Sequence, residues 1–195
     1  MLAVMDDNAL ASPVAAVMAE MAHEFLDLNE VVLKARAERP ALKTSDPDYQ
    51  AKAVEADETV VLAAQTNIAF WMNVEGRVAD NIKAKKVRGL EKSLLLDAYL
   101  KGLLQLRPVM IDFYSAVINY YTADSALVNF LRAHLGQFNR LPTGNLVFIE
   151  AAVQEQYDTA VQAVQQAATA LDGASLKVRE KQAEAMQQRS QPAQP

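Results

Sequence analysis

The stretch Thr59–Val74, TVVLAAQTNIAFWMNV, is the longest uncharged run in the 195-residue chain and contains its only tryptophan, Trp71. Two neighbouring apolar stripes run through it at helical spacing: Val61, Ala64, Ile68 and Trp71 in one, and Val60, Ala63, Phe70 and Val74 in the other. Adjacent stripes indicate a helix that is buried on more than one side. The run includes three amide side chains and is shorter than the roughly 20 apolar residues of a membrane span. It therefore predicts a central helix with Trp71 in the core, and no transmembrane segment.

Composition and cysteine content narrow the fold class. Hydrophobic residues make up 51% of the chain, and there are only six glycines and seven prolines. Ala, Leu, Gln, Glu and Lys favour helices, whereas strand patterns of β-branched residues are scarce. The absence of cysteine excludes disulfides, thiolate zinc sites and cysteine nucleophiles. We expect an all-α protein, a mainly antiparallel bundle of about six helices in which three long ones frame shorter buried ones.

Prolines and capping residues mark the predicted helix boundaries. Ser12-Pro13 and Asp46-Pro47 combine an N-cap with a first-turn proline, so each starts a helix. A break is expected at Pro108, because the residue before proline avoids the helical conformation. Gly76 is a candidate kink, and Gly173 a candidate interruption. The predicted helices are 13–39, 47–88, 90–106, 108–121, a short one ending near 135, and 145–172, with a loop at 133–145.

The same boundaries predict the domain organisation. We expect an N-terminal arm at 1–12, a helical-bundle domain at 13–173, a polar C-terminal helical arm at 174–190 and a flexible tail at 191–195. A mostly polar helix is rarely stable alone, so the arm is a candidate for docking on another chain. The N-terminus lacks a basic n-region and carries two early aspartates, which argues against a signal peptide. We expect a cytoplasmic location, with signal-independent secretion as the alternative.

The net charge of −5 conceals an asymmetry between segments. Residues 1–30 carry six acids and no Lys or Arg, whereas residues 81–107 carry seven bases and two acids. The densest basic stretch contains Lys83, Lys85, Lys86, Arg88 and Lys92. The two segments are either solvated faces that attract each other, within one chain or between copies, or an interaction surface for an acidic partner. Nucleic acid is disfavoured as a partner, because the basic stretch has no aromatic residue for base stacking and no helix-turn-helix pattern follows it.

Motifs for catalysis are weak. Glu20 and His23 have the Glu-x-x-His spacing of di-metal carboxylate bundles, but the second motif that such sites need is missing. Glycine-rich phosphate-binding motifs and a serine nucleophile elbow are also absent. Glu75 and Asp112 are candidate partly buried carboxylates, with Arg77 available as a partner. We expect no catalytic residues, no metal and no cofactor, so an enzyme is the less favoured interpretation.

The loop at 133–145 is the best non-helical candidate for a functional site. Phe138 and Asn139 offer stacking and hydrogen bonding, and Arg140 offers charge. The alternative is an ordinary helix connection.

Our leading functional hypothesis is a non-enzymatic bacterial protein that acts through protein–protein contacts. It would be a subunit, an adaptor or a neutralising partner of another protein, or would associate with itself as a homo-oligomer. One alternative is a small-molecule or catalytic pocket between helices, near Trp71, Tyr99 and Tyr114. A weaker alternative is binding to an anionic polymer or lipid surface through Lys83–Lys92.

Overall fold

The computed structural model describes residues 13–39, 46–87 and 90–190, and it is mostly helical. The elements in these ranges are α1 (Pro13–Glu38), α2 (Pro47–Met72), α3 (Val74–Ala84), α4 (Leu90–Ala133), β1 (Phe138–Arg140), β2 (Leu146–Phe148) and α5 (Ala151–Ser190). The all-α prediction is confirmed, although the described part has five helices and not about six. The predicted arm at 1–12 and tail at 191–195 lie outside the described residues. Within the described ranges, no helix has both the length and the apolar character needed to cross a membrane.

The first two helices begin at the prolines that predict them. Pro13 opens α1, and Pro47 lies in the first turn of α2. The Asp46 carboxylate accepts hydrogen bonds from the backbone N–H groups of Asp48 and Tyr49, at 3.1 and 3.3 Å. These bonds satisfy two of the donors that every helix N-terminus leaves unpaired.

The prediction of one continuous helix over 47–88 is wrong, because α2 ends at Met72 and α3 begins at Val74, on either side of Asn73. The Asn73 backbone N–H is shared between the carbonyls of Ala69 and Phe70. Its side-chain amide also donates to the Ala69 carbonyl, at 2.9 Å. Asn67 makes the same side-chain bond to the Ala63 carbonyl inside continuous α2, so this bond alone does not interrupt a helix. The break lies at Asn73, and the candidate kink Gly76 lies inside α3.

The predicted break at Pro108 is also wrong. The segments expected as three helices form the single 44-residue α4, with Pro108 in its interior. Proline removes one backbone hydrogen bond and costs roughly 3 kcal/mol in a helix interior. Leu104 and Leu106 on one side and Met110 on the other pack against the same hydrophobic core. This shared packing offsets the local preference and keeps the helix continuous.

The last predicted helix begins six residues later than its expected start at Asn145. Leu146 and Phe148 are buried and Val147 is exposed, which is the alternation of a strand. The two buried side chains pack with Leu131 in a small separate hydrophobic cluster. The helical spacing inferred for this segment therefore applies only from Ala151 onward.

The expected interruption at Gly173 does not occur, since α5 continues to Ser190. Ala174 and Val178, both in the predicted polar arm, are partly buried against the main core. The boundary between bundle and arm at 173/174 stays a prediction.

The main core forms where the five helices meet, and Trp71 lies within it at 3% exposure. Two aromatic neighbours hold the indole edge-to-face: the ring centroids of Phe25 and Phe70 are each 5.5 Å from it, at 72° and 90°. Such geometry is the favoured one for aromatic pairs. The prediction that Trp71 is a core residue is confirmed.

Candidate functional site

An apolar cavity of about 150 Å³ lies between α1, α2, α4 and α5. Its aromatic wall residues are Phe25, Phe70, Trp71 and Tyr99. Two of the three residues that define the predicted pocket, Trp71 and Tyr99, therefore line one cavity. The third, Tyr114, is fully buried but does not line it, and its hydroxyl donates to Asn29 Oδ1 at 3.3 Å.

Two buried polar atoms of α2 lack a hydrogen-bond partner among the described residues: Asn67 Oδ1 and Trp71 Nε1. They lie one helical turn apart on α2. The Asn67 side-chain nitrogen does donate, to the carbonyls of Leu28 and Ala63, both at 3.0 Å. A buried donor without an acceptor costs roughly 1–3 kcal/mol. Trp71, one of the wall residues, therefore has a buried indole N–H that the described residues do not satisfy.

Tyr99 supplies one of the few polar groups of the cavity wall. Its hydroxyl donates to the backbone carbonyl of Met18 across a long 3.4 Å. Burial raises the pKa of the Tyr99 phenol. The phenol therefore stays protonated and acts as a neutral donor.

The predicted loop at 133–145 is wrong in one respect, because it contains β1 of an antiparallel hairpin. In this hairpin Phe138 lies opposite Phe148, Asn139 opposite Val147, and Arg140 opposite Leu146. Gly136 and Gly144 have φ angles of +80° and +90°, a region in which glycine is the least strained residue. The second of these glycines supports the chain reversal between the strands.

The hairpin separates the three residues that the sequence grouped as an interaction surface. The Phe138 ring packs inward, with its centroid 5.1 Å from that of Phe148. Asn139 is exposed on the opposite, outward face. Arg140 is also exposed and forms no ion pair within the described ranges. Only Asn139 and Arg140 are therefore available to a partner.

Three aliphatic side chains accompany Asn139 on the outward side of the hairpin. Leu141 and Val147 are each 43% exposed, and Ile149, directly after β2, is 76% exposed. We call Asn139, Leu141, Val147 and Ile149 the hairpin face. Sequence reasoning missed these aliphatic residues because it placed Leu146 and Ile149 on one helical stripe. Residues 146–149 form a short run that is apolar throughout and rich in β-branched and aromatic residues, and such a run also fits a strand; this was the signal that could have found them.

The basic stretch partly meets the acidic segment within one chain. Lys83, Lys85 and Lys86 are exposed around the C-terminal end of α3. The Lys85 ammonium lies 2.6 Å from a Glu20 carboxylate oxygen. A second acid of α1, Glu24, pairs with Arg77 of α3. These pairs favour the interpretation of two mutually attracting faces.

The other residues of the basic stretch are less well defined. Arg88 lies outside the described residues. Lys92 belongs to α4, but its side chain is not described. The structure therefore does not bring the five bases together into one described patch.

A buried ionic cluster at the end of α1 was missed from the sequence. Arg39 Nε donates to Asp57 Oδ1 at 2.6 Å, and its guanidinium also bonds to Asp124. The Ser125 hydroxyl donates to Asp57 Oδ2 at 3.3 Å. Asp57 is completely buried. The cluster joins α1, α2 and α4 through one cation and two carboxylates.

Burial raises the pKa of the Asp57 carboxyl, against the opposing effect of Arg39 and the Ser125 hydroxyl. From the sequence, Glu75 and Asp112 were the candidate partly buried carboxylates, with pairing to an Arg or Lys at the bundle edge as the alternative. Glu75 is exposed and pairs with Arg107 at 3.3 Å, and Asp112 is also exposed. The Arg39 guanidinium is committed to both carboxylates. The arrangement therefore fixes three helices to one another.

Glu20 and His23, the candidate metal pair, do not lie in the environment that a di-metal site requires. Glu20 is engaged by Lys85, and His23 is exposed. In the part of the chain that the structure describes, no group of three or more His, Asp or Glu side chains could hold a metal ion.

None of the family models, curated proteins and solved structures compared with this chain matches it.

Proposed function

We propose that this chain is a non-enzymatic, bacterial and cytoplasmic helical bundle that binds another protein through its hairpin face. The bundle part of the proposal is supported by contacts between α1 and α2. Arg39 near the end of α1 meets Asp57 early in α2, whereas Leu28 meets Asn67 further along. Residue numbers therefore rise along one helix as they fall along the other, which is the antiparallel arrangement.

The observation that carries the proposed binding function is the exposure of Val147, Ile149 and Leu141 on a single face of the hairpin. A sheet that packs one face on the core and leaves the other face in water normally has apolar residues on the inner face and polar residues on the outer face. The hairpin has apolar residues on both sides. Adjacent exposed aliphatic residues are typical of surfaces that bind a partner.

The inward side holds the hairpin face in a fixed position. Leu146 and Phe148 are buried against Leu131 of α4. The Phe148 ring also contacts Phe130 and Tyr157, at centroid distances of 5.6 and 5.1 Å. A rigid surface loses less conformational entropy when a partner binds. The anchoring therefore favours recognition at this site.

The open edge of β1 indicates the form of the partner. A backbone hydrogen bond joins the chain just beyond each end of the two paired strands. The Ile149 N–H donates to the Gln137 carbonyl at 3.0 Å, and the Leu141 N–H donates to the Asn145 carbonyl at 2.8 Å. Because bonded pairs alternate in an antiparallel ladder, the backbone groups of Phe138 and Arg140 point away from β2. On the β2 edge, the Phe148 N–H is satisfied by Gln154 Oε1 at 2.8 Å. We therefore expect an extended segment of another protein to pair with β1.

The chemistry of this segment follows from the exposed side chains. An apolar residue of the added strand would lie beside Leu141 on the hairpin face, and a carboxylate would pair with Arg140. An extended strand places successive side chains on alternate sides. An apolar residue and an acidic residue next to each other in the partner segment can therefore lie beside Leu141 and Arg140, respectively.

Site-specific crosslinking in the native host tests this proposal. A photo-crosslinking amino acid in place of Val147 should give a discrete adduct with another protein. The same amino acid in place of Leu176, which is 56% exposed on α5, is the matched control and should give none. Adding Ile149→Asp should abolish the Val147 adduct. It should change the free energy of unfolding by no more than about 0.5 kcal/mol, because it is a surface substitution.

Two results would contradict the proposal. The first is an adduct pattern that is the same at both positions, or no adduct at either. The second is an adduct of twice the chain mass, because this would identify a second copy of the chain as the occupant of the hairpin face.

A further inference from the structure

The cavity beside Trp71 carries an inference that is independent of the hairpin face. We infer that it binds a small aromatic molecule with at most one polar substituent. The cavity volume is about 150 Å³. In another protein, an engineered apolar cavity of about 150 Å³ stays dry and binds benzene or xenon. The volume therefore fits a single substituted aromatic ring.

The wall chemistry selects an apolar ligand. The side chains that enclose the cavity are mostly apolar, and only the Tyr99 hydroxyl and the Gln182 amide offer it polar groups, because the Trp71 indole N–H is itself buried. A sugar, a nucleotide or an amino acid would lose hydrogen bonds to water and regain few of them here. An aromatic ring loses none, and it can pack edge-to-face against Phe25, Phe70 and Trp71, which already pack in this way or in a tilted geometry.

The position of the two polar wall residues orients the ligand. Tyr99 already donates its hydroxyl proton to the Met18 carbonyl. Gln182 is exposed on α5, at the solvent side of the wall next to Val178. A polar substituent on the ring would therefore point toward Gln182, with the apolar part of the molecule against Trp71.

The contribution of four helices to the wall distinguishes the cavity from a surface groove. Met21 and Ala22 come from α1, Met110 from α4 and Val178 from α5. The C-terminal half of α5 covers the cavity, although its sequence predicts a polar arm.

The single tryptophan makes the inference directly testable with the full-length chain. A ¹H–¹⁵N NMR spectrum contains one indole N–H resonance, that of Trp71. Titration with toluene and with phenol should shift this resonance in a saturable manner. Glycerol at the same concentration should leave it unchanged, and 1,3,5-triisopropylbenzene should be excluded by its size.

Matched alanine variants test the location of the site. Ala22→Leu adds three carbon atoms inside the cavity and should weaken toluene binding at least tenfold. Ala37→Leu makes the same change at an exposed position of the same helix and should leave the affinity within twofold. Gln182→Leu should weaken phenol binding relative to toluene binding.

Several outcomes would overturn the inference. One is a shift of the Trp71 resonance that stays linear in ligand concentration, which indicates partitioning without a site. Another is equal toluene affinity in the two alanine variants. If Ala22→Leu does not fold, the size limit in the unmodified chain decides: equal shifts with toluene and triisopropylbenzene contradict an enclosed cavity.

Discussion

Replacing Arg39 with methionine is the most informative test of the buried ionic cluster. The substitution keeps an unbranched side chain of similar length but removes the guanidinium. Asp57 is completely buried, and the Asp124 side chain is only 11% exposed. Methionine would leave both carboxylates without their cation in a place where water cannot solvate them.

The magnitude follows from the burial of the pair. Removing one partner of a buried ion pair costs roughly 3–5 kcal/mol, because the remaining charge is uncompensated. An exposed pair would be worth about 0–1 kcal/mol. The Arg39 side chain is only 19% exposed, so solvent screening is weak. We expect Arg39→Met to lower the free energy of unfolding by roughly 3–5 kcal/mol, the range for a buried ion pair.

The cost of this substitution should depend on pH. Asp57 has a folded-state pKa above its ordinary value of 3.8, and losing Arg39 should raise that pKa further. A carboxyl group with a raised folded-state pKa contributes stability that is present below the unfolded pKa and lost as the pH rises through the folded pKa. The penalty of Arg39→Met should therefore be largest at neutral pH and shrink as the pH falls toward 3.8.

Urea unfolding followed by circular dichroism, at a series of pH values, measures these effects. Arg36→Met is the matched control. Arg36 is exposed, and its Nε donates to the Tyr121 hydroxyl at 3.1 Å, so its loss should cost about 0.5–1.5 kcal/mol. Adding Asp57→Asn to Arg39→Met should recover part of the stability, because it removes one unpaired charge.

Two results would refute the reasoning about the cluster. If Arg39→Met and Arg36→Met cost the same at neutral pH, the ion pair is not buried in solution. If the penalty of Arg39→Met does not change between neutral and acidic pH, the unpaired carboxylate is not its cause.

Three other predictions concern the core, and urea unfolding measures each. Trp71→Ala should cost roughly 3–5 kcal/mol, and a loss below about 1 kcal/mol would instead indicate a surface residue. Asn67→Ala removes the donor to the Leu28 carbonyl and should cost about 1–3 kcal/mol; a cost near zero would show that this bond is not formed. Pro108→Ala should stabilise the chain by up to about 3 kcal/mol, and a loss of stability would show that the packing of α4 depends on the proline.

Local signals in the sequence predicted helix starts better than helix ends. Asp46 and Pro47 act within one turn, so their effect is independent of the rest of the fold. Pro108 also has a local preference, but residues on both sides of it pack into one core and override it. The break at Asn73 coincides with a side-chain bond to Ala69, but Asn67 makes the same bond to Ala63 inside a continuous helix, so an asparagine in an apolar run does not predict where the helix breaks.

The same distinction applies to the candidate sites. Of the three residues grouped for a pocket, Trp71 and Tyr99 line one cavity and Tyr114 does not. Phe138, Asn139 and Arg140 were grouped by proximity in a supposed loop. A strand sends neighbouring side chains to opposite faces, so adjacency placed Phe138 in a hydrophobic cluster and Asn139 in solvent.

The position of Asp57 shows what a single charge on an apolar face implies. Asp57 lies between Ala53 and Val60, both buried on the same side of α2, so the helical spacing alone puts its carboxylate in the core. An isolated buried carboxylate is too costly to persist without a partner. A cation must therefore come from another segment, and the arginine at the end of α1 supplies it across 18 residues of sequence. A charged residue within a helix's apolar stripe therefore predicts a buried pair, and the antiparallel course of the next helix identifies the end from which its partner comes.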